Sequence, residues 1–175
     1  MNSPYGSRPT NTSLLQPTKF QVVFARTPAI TYFCQSINIP GLSISELPRP
    51  TPLITQYVPG NKLMYETFNI KFLLDEDLRS WFEIHDWLRG LAPGQSTDEY
   101  KKLVHTNAPF GGIYSDAQMT VNTNNNNSNI KINFKNCFPI NLSRIDFSSE
   151  LSAENTMTAD VTLRFEYFNI ERKTS

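Results

Sequence analysis

The chain has 175 residues, a length typical of one domain, and 16 Lys and Arg against 16 Asp and Glu leave its formal net charge at zero. That balance removes the net positive field that holds general nucleic-acid or anionic-membrane binders to their targets. With 39% hydrophobic and only 18% charged residues, the composition excludes wholesale disorder, and no apolar run approaches the ~20 residues that span a bilayer.

Residues 1–18 are polar and proline-punctuated, without an apolar signal core, and read as a flexible arm preceding a single domain over 19–175. Two cysteines, Cys34 and Cys137, lie far apart beside bulky apolar neighbours. In a product expected to stay inside the cell, such residues are buried thiols rather than a bridge. Residues 19–25 form a short β-run, the turn Arg26-Thr27-Pro28 follows, and residues 29–39 read as a second strand, hence a hairpin.

Pro40-Gly41 ends that strand. Pro48, Pro50, Pro52 and Pro59 then punctuate one span closing at Gly60-Asn61. Such a span cannot be a central strand, because proline fixes φ and removes a backbone donor. Yet Leu47, Leu53, Ile54, Tyr57 and Val58 give it apolar surface, so residues 40–61 read as a stiff arm that packs against another molecule.

Residues 65–74 alternate, with Phe68, Ile70, Phe72 and Leu74 on one face. One strong helix is expected next. Asp75 is placed at its N-cap, Glu76 and Asp77 near its positive end, and Gly90 just past its end. Leu78, Trp81, Phe82, Ile84, His85 and Leu88 form its apolar stripe. Residues 97–105 read as a short helix or a connection.

Residues 118–121 and 130–134 flank the Asn-rich tip 122–129 as a hairpin, and residues 137–142 form a further strand, with Pro139 marking an edge or bulge. Ile145 and Phe147 continue its apolar face. Residues 156–170 give the longest alternation, with Met157 to Tyr167 inward at every second position. Phe168 and Ile170 break the rule on the outward side and mark a partner surface. The tally of about six or seven strands predicts a mainly β fold, an antiparallel sandwich or small barrel with one flanking helix.

No catalytic arrangement emerges. HExxH, CxxC and GxSxG are missing, and Asp75-x-Asp77 lacks the glycine and terminal Glu of a calcium loop. His85 reads as a half-buried helix residue. A hydrolase built on His85 and His105 has no motif behind it, and no metal or cofactor is implied. A monomeric carbohydrate- or peptide-binding module using the Asn-rich tip is the alternative to a structural role.

The order of pieces carries a resemblance. Ile39-Pro40-Gly41 leads through the proline-rich arm to Pro59-Gly60-Asn61-Lys62. The strand Phe68-Asn69-Ile70-Lys71-Phe72 precedes a helix with Trp81 and Trp87. Phe134-Lys135-Asn136-Cys137-Phe138-Pro139-Ile140 comes before a closing strand that ends in Phe165-Glu166-Tyr167. Over residues 16–170 this resembles the tail-tube and baseplate tube-initiator proteins of contractile-tailed, T4-like bacteriophages. The resemblance implies a β-sandwich whose sheets join six-fold into a homo-hexameric ring around an inner barrel. Such rings stack into a tube within a sheath, pass DNA transiently and non-specifically down the bore, and meet other tube, sheath or baseplate proteins. It further implies a virion component assembled in the host cytoplasm, with no membrane partner. Tube subunit, initiator and tail-end ring all remain open. The expected inter-subunit contacts are Leu47, Leu53, Ile54, Tyr57, Val58, Phe168 and Ile170, and the polar sides of residues 65–74 and of the closing strand are the expected bore wall.

Overall fold

The computed structural model describes residues 13–92, 94, 98, 100, 101, 104, 112–148 and 156–172. In chain order its elements are β1 (Phe20–Phe24), α1 (Pro28–Phe33), β2 (Cys34–Ile37), β3 (Leu42–Pro50), β4 (Thr55–Tyr65), β5 (Phe68–Leu73), α2 (Arg79–Leu91), β6 (Ser115–Asn122), β7 (Ser128–Leu142), β8 (Thr158–Arg164) and β9 (Tyr167–Arg172). The architecture is mainly β and antiparallel, as the alternation patterns predict.

Seven strands join in the order β1-β6-β7-β8-β5-β2, with β9 also on β7, while among the described strands β3 and β4 pair with each other alone. The fifteen-residue strand β7 belongs to two half-sheets at once. Its first part pairs with β6 on one side and with β9, through residues 130–135, on the other. Its last part, residues 138–142, pairs with β8. The first half-sheet is thus β1-β6-β7-β9 and the second β7-β8-β5-β2.

The crossing lies at Asn136, whose φ of 55° is in the left-handed region that asparagine tolerates better than most residues. Its amide N–H donates to Asp116 Oδ1 at 3.3 Å, and its side-chain amide donates to Glu166. The Glu166 N–H donates in turn to the Lys135 carbonyl at 3.0 Å, so the ladder continues across the bend.

The two half-sheets face each other across a phenylalanine core. Phe68 of β5 lies 4.4 Å, ring to ring, from Phe134 of β7 and 6.3 Å from Phe24 of β1. Phe165 and Phe168 pack on Phe134 at 5.3 and 5.6 Å. Ile70, Phe72, Val161, Leu163, Met119 and Ile132 complete the buried set, each contributing roughly 1.5–3 kcal/mol by leaving water. Ile84 and Trp87 carry α2 into the same core. The Arg26 guanidinium covers the Trp87 ring at 5.0 Å, while the Trp87 indole donates to the Ile113 carbonyl at 3.1 Å. These two contacts fasten α2 to the β1–α1 turn and to the chain's return into β6.

Several local expectations give way. Residues 28–33 are a helix, because Pro28 presets φ at a first-turn position and Ile30 and Phe33 face inward at a three-residue step. The hairpin of β1 with β2 does not form: β1 pairs with β6 and β2 with β5. Asp75 is not the N-cap of α2. Leu78 holds that position, with φ of 52°, and Asp75 reaches forward so that its Oδ1 accepts the Ser80 N–H at 3.4 Å. Gly90 lies buried inside α2 and Ala92 caps it. The helix buries Ser80, Ile84, Trp87 and Gly90, leaving Phe82 half-exposed.

Residues 130–142 are one strand rather than two, and Phe147 is exposed beyond its end. Residues 156–170 split at Phe165 and Glu166 instead. The extra residue at that bend slips the alternation by one, so Tyr167 turns outward and Phe168 inward. Phe168 therefore packs on Tyr65, Phe134 and Phe165. Within 97–105, the described residues Asp98, Tyr100, Lys101 and Val104 are helical, and His105 lies outside the described residues.

Phe134, with no exposed surface, touches both half-sheets. Phe134→Ala should lower the unfolding free energy by about 3–5 kcal/mol, read from the shift of a urea transition at unchanged slope.

Candidate assembly interface

The pair β3–β4 forms a twisted ribbon that leaves the body at Tyr65. There the Glu66 N–H donates to the Gly41 carbonyl at 3.1 Å, and the Tyr65 ring packs edge-on against Phe165 and Phe168 at 5.4 and 5.5 Å. Beyond that base the described residues show no sizeable contact between ribbon and body. Nine residues of β3 at about 3.3 Å each put the tip roughly 30 Å out. The proline segment is extended, and it is not folded back on its own domain.

The register is Ile44 opposite Leu63, then Glu46 opposite Pro59, Leu47 opposite Val58 and Pro48 opposite Tyr57, with a shift between Ile44 and Glu46. At that shift a Cβ on Gly60 would lie 2.2 Å from Ser45 Oγ and 2.5 Å from the Ser45 carbonyl, so glycine alone permits the approach. Both strands are edge strands, which is where prolines can sit in a ladder. At the tip, the Thr51 N–H donates to the Ile54 carbonyl at 3.0 Å and the Ile54 N–H donates to Thr51 Oγ1 at 3.2 Å. Those bonds lock the turn with Leu53 outermost.

Leu53 is 93% exposed, Tyr57 63%, Ile54 62% and Leu47 61%, and Val58 is exposed as well. Because opposed residues share a face and successive ones alternate, the ribbon is apolar on both sides: Leu47 and Val58 on one, Pro48 and Tyr57 on the other. Leu42, Ile44, Leu63 and Met64 extend this surface to the base and were not singled out by the sequence reading. Leu42 and Ile44 lie within the expected arm of residues 40–61, and Leu63 and Met64 lie beyond its expected end.

A second exposed feature is the first half-sheet, whose outer strands β1 and β9 each have only one partner among the described strands. Ile170, half-exposed, sits on the β9 edge. The solvent face of this half-sheet is mostly polar and internally paired, with Val23 and Tyr167 as exposed apolar exceptions. Lys131 stands opposite Glu171 and Asn133 opposite Asn169. The Gln118 amide donates to Asn133 Oδ1 at 2.7 Å, the Asn133 amide donates to Glu171 Oε1 at 2.8 Å, and Lys135 is bonded to Asp116. That last pair raises the Lys135 pKa from its ordinary value.

The phage tail tube protein family matches the chain over residues 9–171. The chain belongs to that family. It is 26% identical over 149 residues to the tail tube terminator protein of Enterobacteria phage T4, covering 83% of this chain and 81% of that protein. Two solved structures share the fold. One is the tube-terminating cap of the anti-feeding prophage, with a TM-score of 0.59, 11% identity, and 98% and 100% of the two chains covered. The other is the sheath-tube complex of an extracellular contractile injection system, PVC, with a TM-score of 0.57, 11% identity, and 93% and 94% covered.

As a tail tube family member the chain is a structural protein of a phage tail, hence of the virion, and not an enzyme. Among its described residues no three His, Cys, Asp or Glu side chains group as a metal site, and no helix is long and apolar enough to cross a membrane. His85 stacks on Trp81 at 5.0 Å, with Nδ1 3.3 Å from Asp86. The Asn-rich tip is tied by local bonds and by Lys19 and Leu14. The Asn126 and Asn127 N–H groups donate to the carbonyl and hydroxyl of Thr123, and Lys19 donates to Asn126 Oδ1 at 2.8 Å.

Both thiols are held protonated, since burial pushes Cys34 up to about 11 and Cys137 up to about 12. A raised pKa leaves almost no thiolate near neutrality. The folded chain should therefore react with a maleimide or a disulfide reagent at pH 7.5 far more slowly than the chain in guanidinium, where both cysteines label.

Proposed function

We propose that this chain is the tube-terminating ring of a contractile tail: copies close into a homo-hexamer that caps one end of the tube inside the sheath, and DNA passes through its bore. The observation that carries this reading is 26% identity to the T4 tail tube terminator across four fifths of both chains.

The geometry supports ring closure. β1, β6, β7 and β9 are successively antiparallel. With four strands, the β9 edge of one copy therefore lies antiparallel to the β1 edge of the next. A head-to-tail contact of this kind closes when the rotation closes. It would cover Ile170 and pair backbone groups that a lone copy leaves open. The polar face of the first half-sheet would then line the bore. Of the bore wall expected from sequence, this keeps the β9 end of the closing strand and moves residues 68–73 to the other half-sheet. Each lysine of that face stands beside a carboxylate, so the wall offers a passing polyanion little net attraction. The ribbon supplies the reach to a neighbour at low ordering cost, being already stiffened by prolines and a locked turn. The neighbouring tube and the sheath are the expected partners of such a ring.

Purified chain should show six-fold rings by negative-stain microscopy; a monomer at milligram-per-millilitre concentration overturns the reading. Deletion of residues 47–58 should leave the far-ultraviolet circular dichroism of the body intact and abolish the rings.

A further inference from the structure

We infer that the ribbon tip of one copy seats in an apolar groove of the next copy, between the C-terminal end of α2 and the outer flank of β7. The inference rests on the ring proposed above and names the contact that would hold it. The groove encloses about 400 Å³ and is lined by Leu88, Leu91, Ile113, Tyr114, Phe138 and Ile140 among others, with no charged side chain on its wall. Tyr114 and Ile140 stay substantially exposed in it. Since a cavity of about 150 Å³ already holds a benzene ring, the groove has room for a leucine and an isoleucine side chain.

Three observations select the occupant. The knob and the hole match in chemistry: residues 50–61 contain no charge, and Leu53 is the most exposed large apolar side chain among the described residues. The knob is preformed, because the Thr51 and Ile54 bonds fix the turn before any docking. A rigid apolar anchor entering a concave site is the arrangement that concentrates interface energy. Finally, the ribbon makes no sizeable contact with α2 or β7 of its own chain, so its own groove does not receive it. Along the groove, residues 138–142 of β7 pair among the described strands with β8 alone, leaving a strand flank that an incoming segment can meet.

The test combines Leu53→Cys with Ile140→Cys in the full chain and treats it with a short bismaleimide crosslinker. The unsubstituted chain, which carries the native Cys34 and Cys137, and each single substitution serve as controls. The double variant should give a denaturing-gel ladder from dimer to hexamer, the singles none, and an equimolar mixture of the singles should stop at dimers. Rings by microscopy without any crosslink, or a crosslinked band running as a monomer, would overturn the docking while the ring stands. Failure of the unsubstituted chain to form rings would remove the terminator reading and the docking with it. In parallel, Leu53→Asp and Ile140→Asp, both at exposed positions, should each weaken ring formation at least tenfold with unchanged circular dichroism. The two together should be no worse than either alone; full additivity would count the two sites as unconnected.

Discussion

The constraint on which this molecule depends is that one strand, β7, serves two sheets. Its fifteen residues lie under β6 and β9 at one end and beside β8 at the other. The change of allegiance needs a residue tolerant of positive φ at the crossing, together with side chains that absorb the polar groups the bend exposes. Asn136, Asp116 and Glu166 meet that need. With the strand bent there, Phe134 and Phe68 face each other at 4.4 Å, and every later layer of the core follows from that contact.

A body closed this way takes from the β3–β4 ribbon only Tyr65 at its base, and that explains the ribbon's composition. The core needs nothing from Leu47, Leu53, Ile54 or Tyr57, so their exposed surface has no stabilising role within the chain. Apolar residues on both faces of an isolated two-stranded ribbon are a liability in a monomer and an asset in an assembly. The prolines and the Ser45–Gly60 approach limit the conformations from which the ribbon must be ordered on docking. In the ring proposed above, such a segment would turn the hydrophobic effect into a contact between bodies.

The first half-sheet divides its labour by face. Its inner side is apolar; its outer side is mostly lysine, carboxylate and amide arranged as cross-strand partners, with Val23 and Tyr167 among them. Exposed pairs of this kind add little to stability, and their consequence is for what the surface attracts. The chain's zero net charge is thus repeated locally on the face that a ring would present to its bore.

By itself the sequence determined the class of fold, the apolar faces of most strands and the special status of the proline arm. Period-two burial at Phe68, Ile70 and Phe72, and at Ala159, Val161 and Leu163, is set by local alternation, which survives any choice of neighbour. It also carried the absence of recognised catalytic motifs and, through the order of elements, the family. What it left undetermined is non-local. The pairing of β1 with β6, a separation of about a hundred residues, has no local signal. Phe168 faces the core because one extra residue at Glu166 shifts the phase of the closing strand, a bend that shows in the sequence only as Phe168 and Ile170 breaking the alternation. Likewise the ribbon's separation from the body, and the groove beside α2, exist only once distant segments are packed. Alternation is written residue by residue, whereas pairing partners and bends are decided by which long-range contacts best bury the resulting faces.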